Sequence, residues 1–265
     1  MRTIVSGGSD LGDLLTVVRR ELWLWRYQPG VVLTNLLFPV LITLMFGGLF
    51  GGALTGTQGS YYDLLIPGML VMTVLFGLES TMIAVATDAG RGLMDRFRSL
   101  PIASWVIVGG RCVADLLSSV IGMAVLAAVG LLLGWRPDGS PPASVAAAGL
   151  LCLLRFSLLW LGIFLGLVVK GPEGAVPVQI LVWPLGFASS VFVDPATMPS
   201  WLAAIAQWNP LSATANAVRE LFGTAASGDG SWSVQHSALL AVCWPVAISA
   251  VFLPLAVRRF RRLSA

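Results

Sequence analysis

The amino-acid sequence predicts an all-α integral membrane protein with six transmembrane helices. Of its 265 residues, 57% are hydrophobic and only 11% are charged. Soluble domains contain about 45–50% apolar residues and about 25% charged residues. Apolar runs of twenty or more residues recur along the chain, and about 20 helical residues cross a hydrocarbon core of about 30 Å. Little remains for a soluble part, so residues 1–265 are interpreted as one transmembrane domain.

The segment before the first span is predicted to lie in the membrane interface. Residues 10–28 mix leucine and tryptophan with three arginines and Glu21, which is too much charge for a span but suits an interfacial helix. The Pro-Gly pair at 29–30 ends it. Residues 1–12 carry one arginine and no apolar core segment, so we do not expect a cleaved signal peptide.

Six apolar runs follow, and the fifth contains two prolines, Pro177 and Pro184, which a bundle tolerates because neighbouring helices satisfy the freed carbonyls. Pairs of glycines four apart predict close helix contacts; they are Gly47 and Gly51, Gly48 and Gly52, Gly130 and Gly134, and Gly162 and Gly166. The predicted spans cover 31–52, 64–87, 105–134, 143–169, 175–193 and 237–257.

Between the last two spans lies the longest segment outside the membrane, residues 194–233. It is predicted to contain two short helices, 199–208 and 211–222, joined at an Asn-Pro pair. Together they form an external helical region over 199–222.

The basic residues predict the orientation, because those near short loops stay on the cytoplasmic side. Of the 16 basic residues, thirteen lie on the side of the two termini, two lie on the other side, and Arg155 lies within a span. Both termini are therefore expected in the cytoplasm. The strong excess of arginine over lysine, with abundant alanine, glycine and valine, indicates a bacterial genome and hence the bacterial plasma membrane.

Several kinds of function have no support in the sequence. The single lysine, Lys170, stands in Val-Val-Lys-Gly and not in a G-x-x-x-x-G-K-[ST] loop, so the chain cannot bind ATP through that motif. Cys112, Cys152 and Cys243 lie in apolar runs without metal-ligand spacing. A net charge of +3 is too small to indicate a nucleic-acid partner. We expect no catalytic residue, metal or cofactor in this chain.

Ionisable residues inside spans are costly and are therefore functional candidates. By helical rise, Glu79 and Asp115 lie roughly 13–15 Å from the cytoplasmic side and Arg155 roughly 20 Å from it, while Arg111 lies just inside the membrane. Our hypothesis is that Arg155 pairs with Asp115 or Glu79 and ties spans together during alternating access. A static pair and a proton relay are the alternatives.

The connector between the second and third spans, 88–104, forms an amphipathic pattern when drawn as a helix over 89–100. Leu93, Phe97 and Leu100 share one stripe of that helix. A proline at 101 favours its end there. Such a helix can dock into the groove of a partner protein or lie on lipid headgroups.

Two stretches resemble a known family. The connector sequence GRGLMDRFRSLPIAS (90–104) is similar to the cytoplasmic coupling segment of type-2 ABC exporter permeases, especially their daunorubicin-resistance branch. The stretch FASSVFVDPATMPSWLAAIAQWNPLSATANAVRELFG (187–223) resembles the external segment of the same family. The charged helix before the first span and the number of spans also agree with it.

The resemblance implies a permease that pairs with a second copy or a paralogue on two cytosolic ATPase subunits, which hold ATP and Mg. It implies a coupling helix that enters a groove on the ATPase, and external helices that cap the substrate path. The implied coupling residues are Arg91, Leu93, Met94, Asp95, Arg96, Phe97, Arg98, Leu100 and Pro101. The implied external gate residues are Trp201, Trp208, Asn209, Pro210, Arg219 and Glu220.

Under this resemblance the cargo would be an amphipathic drug or lipid. A permease for lipid-linked polysaccharide stays open as an alternative within the class. An ion-coupled secondary transporter that uses Glu79, Asp115 and Arg155 directly is the alternative from another class.

Overall fold

The computed structural model describes residues 19, 29–55, 58–90, 104–169, 171–224 and 230–263. This part of the chain is helical and contains no strand, and the prediction of an all-α membrane protein is confirmed. The interfacial segment 10–28, apart from Arg19, and the connector residues 91–103 lie outside the described residues, and so does every implied coupling residue.

Long helices occur where the sequence places five of its spans. They are α1 (Pro29–Thr55), α2 (Gln58–Gly90), α3 (Ser104–Leu132), α4 (Pro141–Val168) and α9 (Ser237–Leu263). Between α4 and α9 lie four shorter helices, α5 (Val176–Phe187), α6 (Ser200–Trp208), α7 (Pro210–Leu221) and α8 (Trp232–Gln235). Single 3₁₀ turns precede α5 and α6, at Pro172–Ala175 and Pro195–Thr197.

Helix α2 lies at the centre of the bundle. In its most apolar window 67% of the residues are buried, against 17% in α1. Helix α4 packs along α2, and α1, α3 and α7 also contact it. Large apolar side chains such as Leu41 and Leu49 point outward from α1, as expected where the surrounding medium is lipid.

The contact between α2 and α4 depends on one of the four glycine pairs predicted to form helix contacts, Gly162 and Gly166. A Cβ atom at Gly166 would lie 2.7 Å from the carbonyl oxygen of Met82 and 2.8 Å from Cβ of Val85. A Cβ atom at Gly162 would lie 3.0 Å from the carbonyl oxygen of Leu78. The two backbones therefore approach closely, as glycines spaced four apart allow.

The predicted fifth span, 175–193, is not one continuous helix. Helix α5 has 12 residues and so rises about 18 Å, short of the roughly 30 Å of a hydrocarbon core. Five helices of the described part are long and apolar enough to cross a membrane, and α5 is not among them. The continuous helix at this position is therefore shorter than the predicted span.

Side chains donate hydrogen bonds to the backbone carbonyls that would accept from N–H groups of the next turn if α5 were longer. The hydroxyl of Ser189 donates to the carbonyl of Gly186, and Nδ2 of Asn209 donates to the carbonyls of Leu185 and Ala188, at 2.9 and 2.7 Å. Because serine and asparagine side chains compete with the backbone for such groups, the helix ends. The sequence alone did not reveal this, since Asn209 is more than twenty residues away.

We predict that Gly166→Ala destabilises the protein by about 1–3 kcal/mol, because an added methyl group overpacks the α2–α4 contact. The matched control is Gly149→Ala in the same helix, where a Cβ atom meets nothing within 4 Å. That control should be unchanged or more stable by about 0.5–1 kcal/mol, since alanine is the better helix former. Thermal unfolding in detergent measures both, and equal midpoints would contradict the packing argument.

Candidate functional site

A buried arginine stands at the junction of three long helices. Arg155 extends from α4 into the space between α2 and α3 and is 2% exposed. Helix α2 has a glycine there, and a Cβ atom at Gly77 would lie 2.9 Å from Nε and 3.0 Å from Cζ of Arg155. The space for the guanidinium therefore exists because residue 77 has no side chain.

Two hydroxyl groups hold this guanidinium. Nη2 of Arg155 donates to the hydroxyl of Thr81 on α2 at 2.8 Å, and Nε donates to the hydroxyl of Ser119 on α3 at 2.6 Å. The Thr81 hydroxyl in turn donates to Oδ2 of Asp115 at 2.8 Å, and the Ser119 hydroxyl donates to the backbone carbonyl of Asp115 at 2.9 Å. The cluster thus joins α2, α3 and α4.

Charges of alternating sign continue from this cluster toward the connector. Nη2 of Arg155 lies 3.9 Å from Oδ2 of Asp115, and the same oxygen lies 3.9 Å from Nε of Arg111. Nη1 of Arg111 donates to Oδ2 of Asp88 at 2.9 Å. We call Asp88, Arg111, Asp115 and Arg155 the charge ladder. Its formal charges sum to zero, which lowers the cost of placing them inside the membrane.

The structure decides between the two partners that the sequence left open for Arg155. Asp115 contacts it directly and through Thr81, whereas Glu79 is half-buried and makes no hydrogen bond or ion pair with another described residue. Sequence reasoning missed Asp88. The available signal was opposite charge on the two helix ends that flank the connector, Asp88 in the last turn of α2 and Arg111 in the second turn of α3.

The predicted external segment does not simply cover the bundle. Residues 211–219 of α7 are all buried, and α7 packs against α2, α4 and α9. Its C-terminal end meets the α3–α4 loop, where the backbone N–H groups of Asp138 and Gly139 donate to the carbonyl of Phe222. Helix α7 therefore inserts among the spans at the end opposite the connector.

Arg219 fastens this inserted helix. Its side chain is fully buried, and Nη2 donates to the carbonyls of Leu64 and Ser190 at 2.9 and 2.8 Å. Nη1 donates to Oδ1 of Asn216 at 2.9 Å. No carboxylate among the described residues forms an ion pair with it. Burial lowers the pKa of Arg219 to about 10, with a smaller opposing effect from Asp194, so the guanidinium stays charged at neutral pH.

The other implied gate residues divide into two groups. Asn209 caps α7, with Oδ1 accepting from the N–H of Leu211 at 2.9 Å, and Pro210 occupies the first position of α7. Oε1 of Glu220 accepts from the Ser237 hydroxyl at 3.0 Å, which joins α7 to α9.

The two tryptophans are different. Trp201 and Trp208 are exposed, and Trp208 stacks on Trp232 with ring centroids 6.1 Å apart. They do not join the polar contacts of Arg219. The described part of the chain also contains no group of three histidine, cysteine or acidic side chains that could hold a metal ion.

These features occur in a chain whose residues 13–222 match the sequence profile of the ABC-2 type transporter family. The chain belongs to that family. Members of the ABC-2 family are transport permeases and not enzymes, and they work with a separate ATP-binding-cassette ATPase. The multi-pass membrane location predicted from the sequence is thereby confirmed.

Individual relatives agree with the family. The chain is 35% identical to the daunorubicin resistance ABC transporter permease protein DrrB1 of Streptomyces coeruleorubidus, with 100% of this chain and 94% of the relative covered. It is also similar to the ycf38 proteins of Cyanophora paradoxa and Porphyra purpurea, which are named as transport permeases. The first is 26% identical, covering 79% of this chain and 74% of the relative, and the second is 24% identical, covering 86% and 77%.

We predict that Arg155→Gln and Asp115→Asn are not additive in their effect on the free energy of unfolding. Each single change leaves the other charge without its partner, so the double variant should recover about 0.5–3 kcal/mol of the summed loss. Thermal unfolding of the four proteins measures the cycle. Glu79→Gln is the matched control and should be additive with Arg155→Gln. An additive Asp115 cycle would show that the pair contributes nothing.

We predict that Arg219→Lys destabilises the protein by about 1–3 kcal/mol despite the retained charge. The single ammonium group of lysine cannot replace both Nη2, which donates to the carbonyls of Leu64 and Ser190, and Nη1, which donates to Asn216. Hydrogen exchange of residues 188–192 and 210–221 should rise. Arg136→Lys is the control, since Arg136 also donates to two carbonyls but is exposed. A change within about 0.5 kcal/mol is expected for it. Equal effects of the two changes would argue against the role of Arg219 in fastening α7.

Proposed function

We propose that this ABC-2 family chain is the permease subunit of an exporter that moves an amphipathic drug or lipid across the bacterial plasma membrane, driven by a separate ATPase subunit. The observation that carries the proposal is the 35% identity, over the full length of the chain, to a daunorubicin resistance permease. Full-length similarity matters because both halves of a permease line its substrate path. ATP and Mg would be held by the ATPase.

The connector is the proposed point of contact with the ATPase. Helix α2 ends at Gly90 and α3 begins at Ser104, so any movement of the intervening residues 91–103 acts on both helices. The Asp88–Arg111 ion pair joins these helices next to the connector. Asp95 and Phe97 lie at the middle of the connector sequence, one charged and one apolar, as a groove-binding helix requires.

The proposal also includes the orientation of this permease in the membrane and its assembly with a second permease. The excess of basic residues beside the connector and the termini favours a cytoplasmic location for that end. A second permease, either another copy of this chain or a paralogue, would complete the transport path, with lipid around the outer faces. Exposed apolar side chains on α1 and α5, among them Leu41 and Ile180, are available for such contacts.

The cargo proposal has support from a chain of aromatic rings. Phe38, Phe76 and Trp183 lie within 5.2–5.8 Å of one another, measured between ring centroids. Phe187 continues the chain from Trp183 at 5.7 Å and reaches Phe192 at 5.1 Å. Phe192 is buried, but the other four rings are partly exposed, and exposed aromatic rings suit flat, apolar compounds. The ion-coupled alternative loses support, because Arg155 and Asp115 are engaged with each other and with hydroxyl groups.

We predict that Asp95→Ala and Phe97→Ala weaken the attachment of the ATPase. The permease would be co-expressed with an ATPase from an adjacent reading frame that carries a phosphate-binding loop, and the complex would be purified through a tag on the permease. Both variants should recover less ATPase protein and show lower ATP hydrolysis than wild type. Asp138→Ala, in the loop at the opposite end, is the control. Unchanged recovery in both connector variants would overturn this route of coupling.

The same complex tests the cargo. ATP hydrolysis in lipid nanodiscs would be measured with daunorubicin and, separately, with a lipid-linked sugar. Stimulation by daunorubicin alone supports a drug exporter, and stimulation by the lipid-linked sugar alone favours the polysaccharide alternative. Failure to bind any ATPase would contradict the proposed function as a whole.

A further inference from the structure

The carboxylate of Asp115 stands between two arginines without completing a hydrogen bond to either. Its Oδ2 atom lies 3.9 Å from Nε of Arg111 and 3.9 Å from Nη2 of Arg155. Charge-assisted N–H···O bonds are about 2.7–2.9 Å long. Both separations therefore exceed a bonded distance by about 1 Å. The Asp88–Arg111 pair of the same ladder is fully formed at 2.9 Å, so the two long separations are those at Asp115, whose Oδ2 atom instead accepts from the Thr81 hydroxyl at 2.8 Å.

Both arginines have a donor available for a closer carboxylate. Nε of Arg111 and Nη1 of Arg155 are buried and donate no hydrogen bond within the described part of the chain. A buried donor without an acceptor is unfavourable. A shift of Asp115 toward either arginine would shorten one of the two ion pairs and lengthen the other. The carboxylate thus lies at equal distances from two arginines that each have a donor available.

We infer that Asp115 is the moving part of a two-position switch, paired with Arg111 in one conformation and with Arg155 in the other. The inference rests on the proposed function, because the switch connects the ATPase-facing connector to the interior of the permease. Two discrete arrangements of one element are the physical basis on which distant sites can be coupled.

The surroundings of Arg111 and Arg155 differ, and the difference indicates which arginine moves and which stays in place. Arg155 is fixed by Thr81, Ser119 and the glycine at 77, so it acts as the stationary partner. Arg111 is fastened to Asp88, two residues before the end of α2, and Asp88 moves whenever the connector pulls on that helix end. A displacement at the connector would thus withdraw Arg111 from Asp115, or return it, and Asp115 would exchange partners.

A static reading of the same residues makes a different prediction. If the pair of Asp115 and Arg155 only ties α3 to α4, then Asp88 and Arg111 are dispensable for transport. If Asp115 switches, removing either Asp88 or Arg111 leaves the interior cluster intact but cuts its link to the connector. The two readings can therefore be separated without disturbing Arg155, whose loss could prevent folding.

The test uses the complete complex of permease and ATPase in inside-out proteoliposomes. ATP hydrolysis and ATP-dependent daunorubicin uptake are measured for wild type, Asp88→Asn, Arg111→Gln and the double variant. Uptake should fall about tenfold, within the range of coupling factors typical of linked sites, and should fall further than hydrolysis. The double variant should equal either single one, because each breaks the same link. Glu79→Gln, a neutralised acid outside the ladder, should behave as wild type.

A structural readout accompanies the transport assay. Hydrogen exchange of residues 104–120 in α3 is compared between the nucleotide-free complex and the complex trapped with ADP and vanadate. Wild type should differ between the two states, and Arg111→Gln should not. Normal uptake in Asp88→Asn and Arg111→Gln would overturn the switch and leave the proposed function intact. If wild type hydrolyses ATP without exporting daunorubicin, the cargo proposal fails, and the exchange pattern alone then supports or overturns the switch.

Discussion

A buried guanidinium needs hydrogen-bond partners, and this requirement determines how the central helices of the protein pack. Arg155 is almost completely inaccessible, and no water in a hydrocarbon core could replace its missing partners. The hydroxyl groups that accept its hydrogen bonds lie on α2 and α3, while Arg155 itself lies on α4. The three helices can meet at this point because Gly77 leaves room for the charge. Farther along, Gly162 and Gly166 bring α4 against α2.

The opposite end of the bundle meets the same requirement with different groups. Arg219 is surrounded by backbone carbonyls and one amide oxygen, whose dipoles compensate the charge without a carboxylate. The carbonyl of Ser190 is available because α5 stops short and the chain at 188–192 packs on α2. The approach is so close that a Cβ atom at Gly68 would lie 2.5 Å from the carbonyl oxygen of Val191. The early end of α5, the insertion of α7 and the burial of Arg219 therefore depend on one another.

The two ends differ in how tightly their charges are held, and this bears on function. The contacts that fix Arg219 at 2.8–2.9 Å are to the backbone carbonyls of Leu64 and Ser190 and to Asn216 within α7. The charge ladder, by contrast, contains one carboxylate with two arginines at equal distance. Under the proposed function, movement imposed by an ATPase would therefore be absorbed at the connector end, while α7 and residues 188–192 at the far end keep their attachment to α2.

The amino-acid sequence by itself determined the class, the positions of α1 to α4 and α9, the glycine contact and the family, because these follow from local hydrophobicity and from spacing along one helix. It also restricted the partner of Arg155 to two acids. Tertiary structure decided the rest. The end of α5 depends on Asn209, the burial of α7 depends on carbonyls of α2 and residue 190, and the role of Asp88 depends on Arg111. Each is an interaction between residues that are distant in the chain and whose meeting no local pattern encodes.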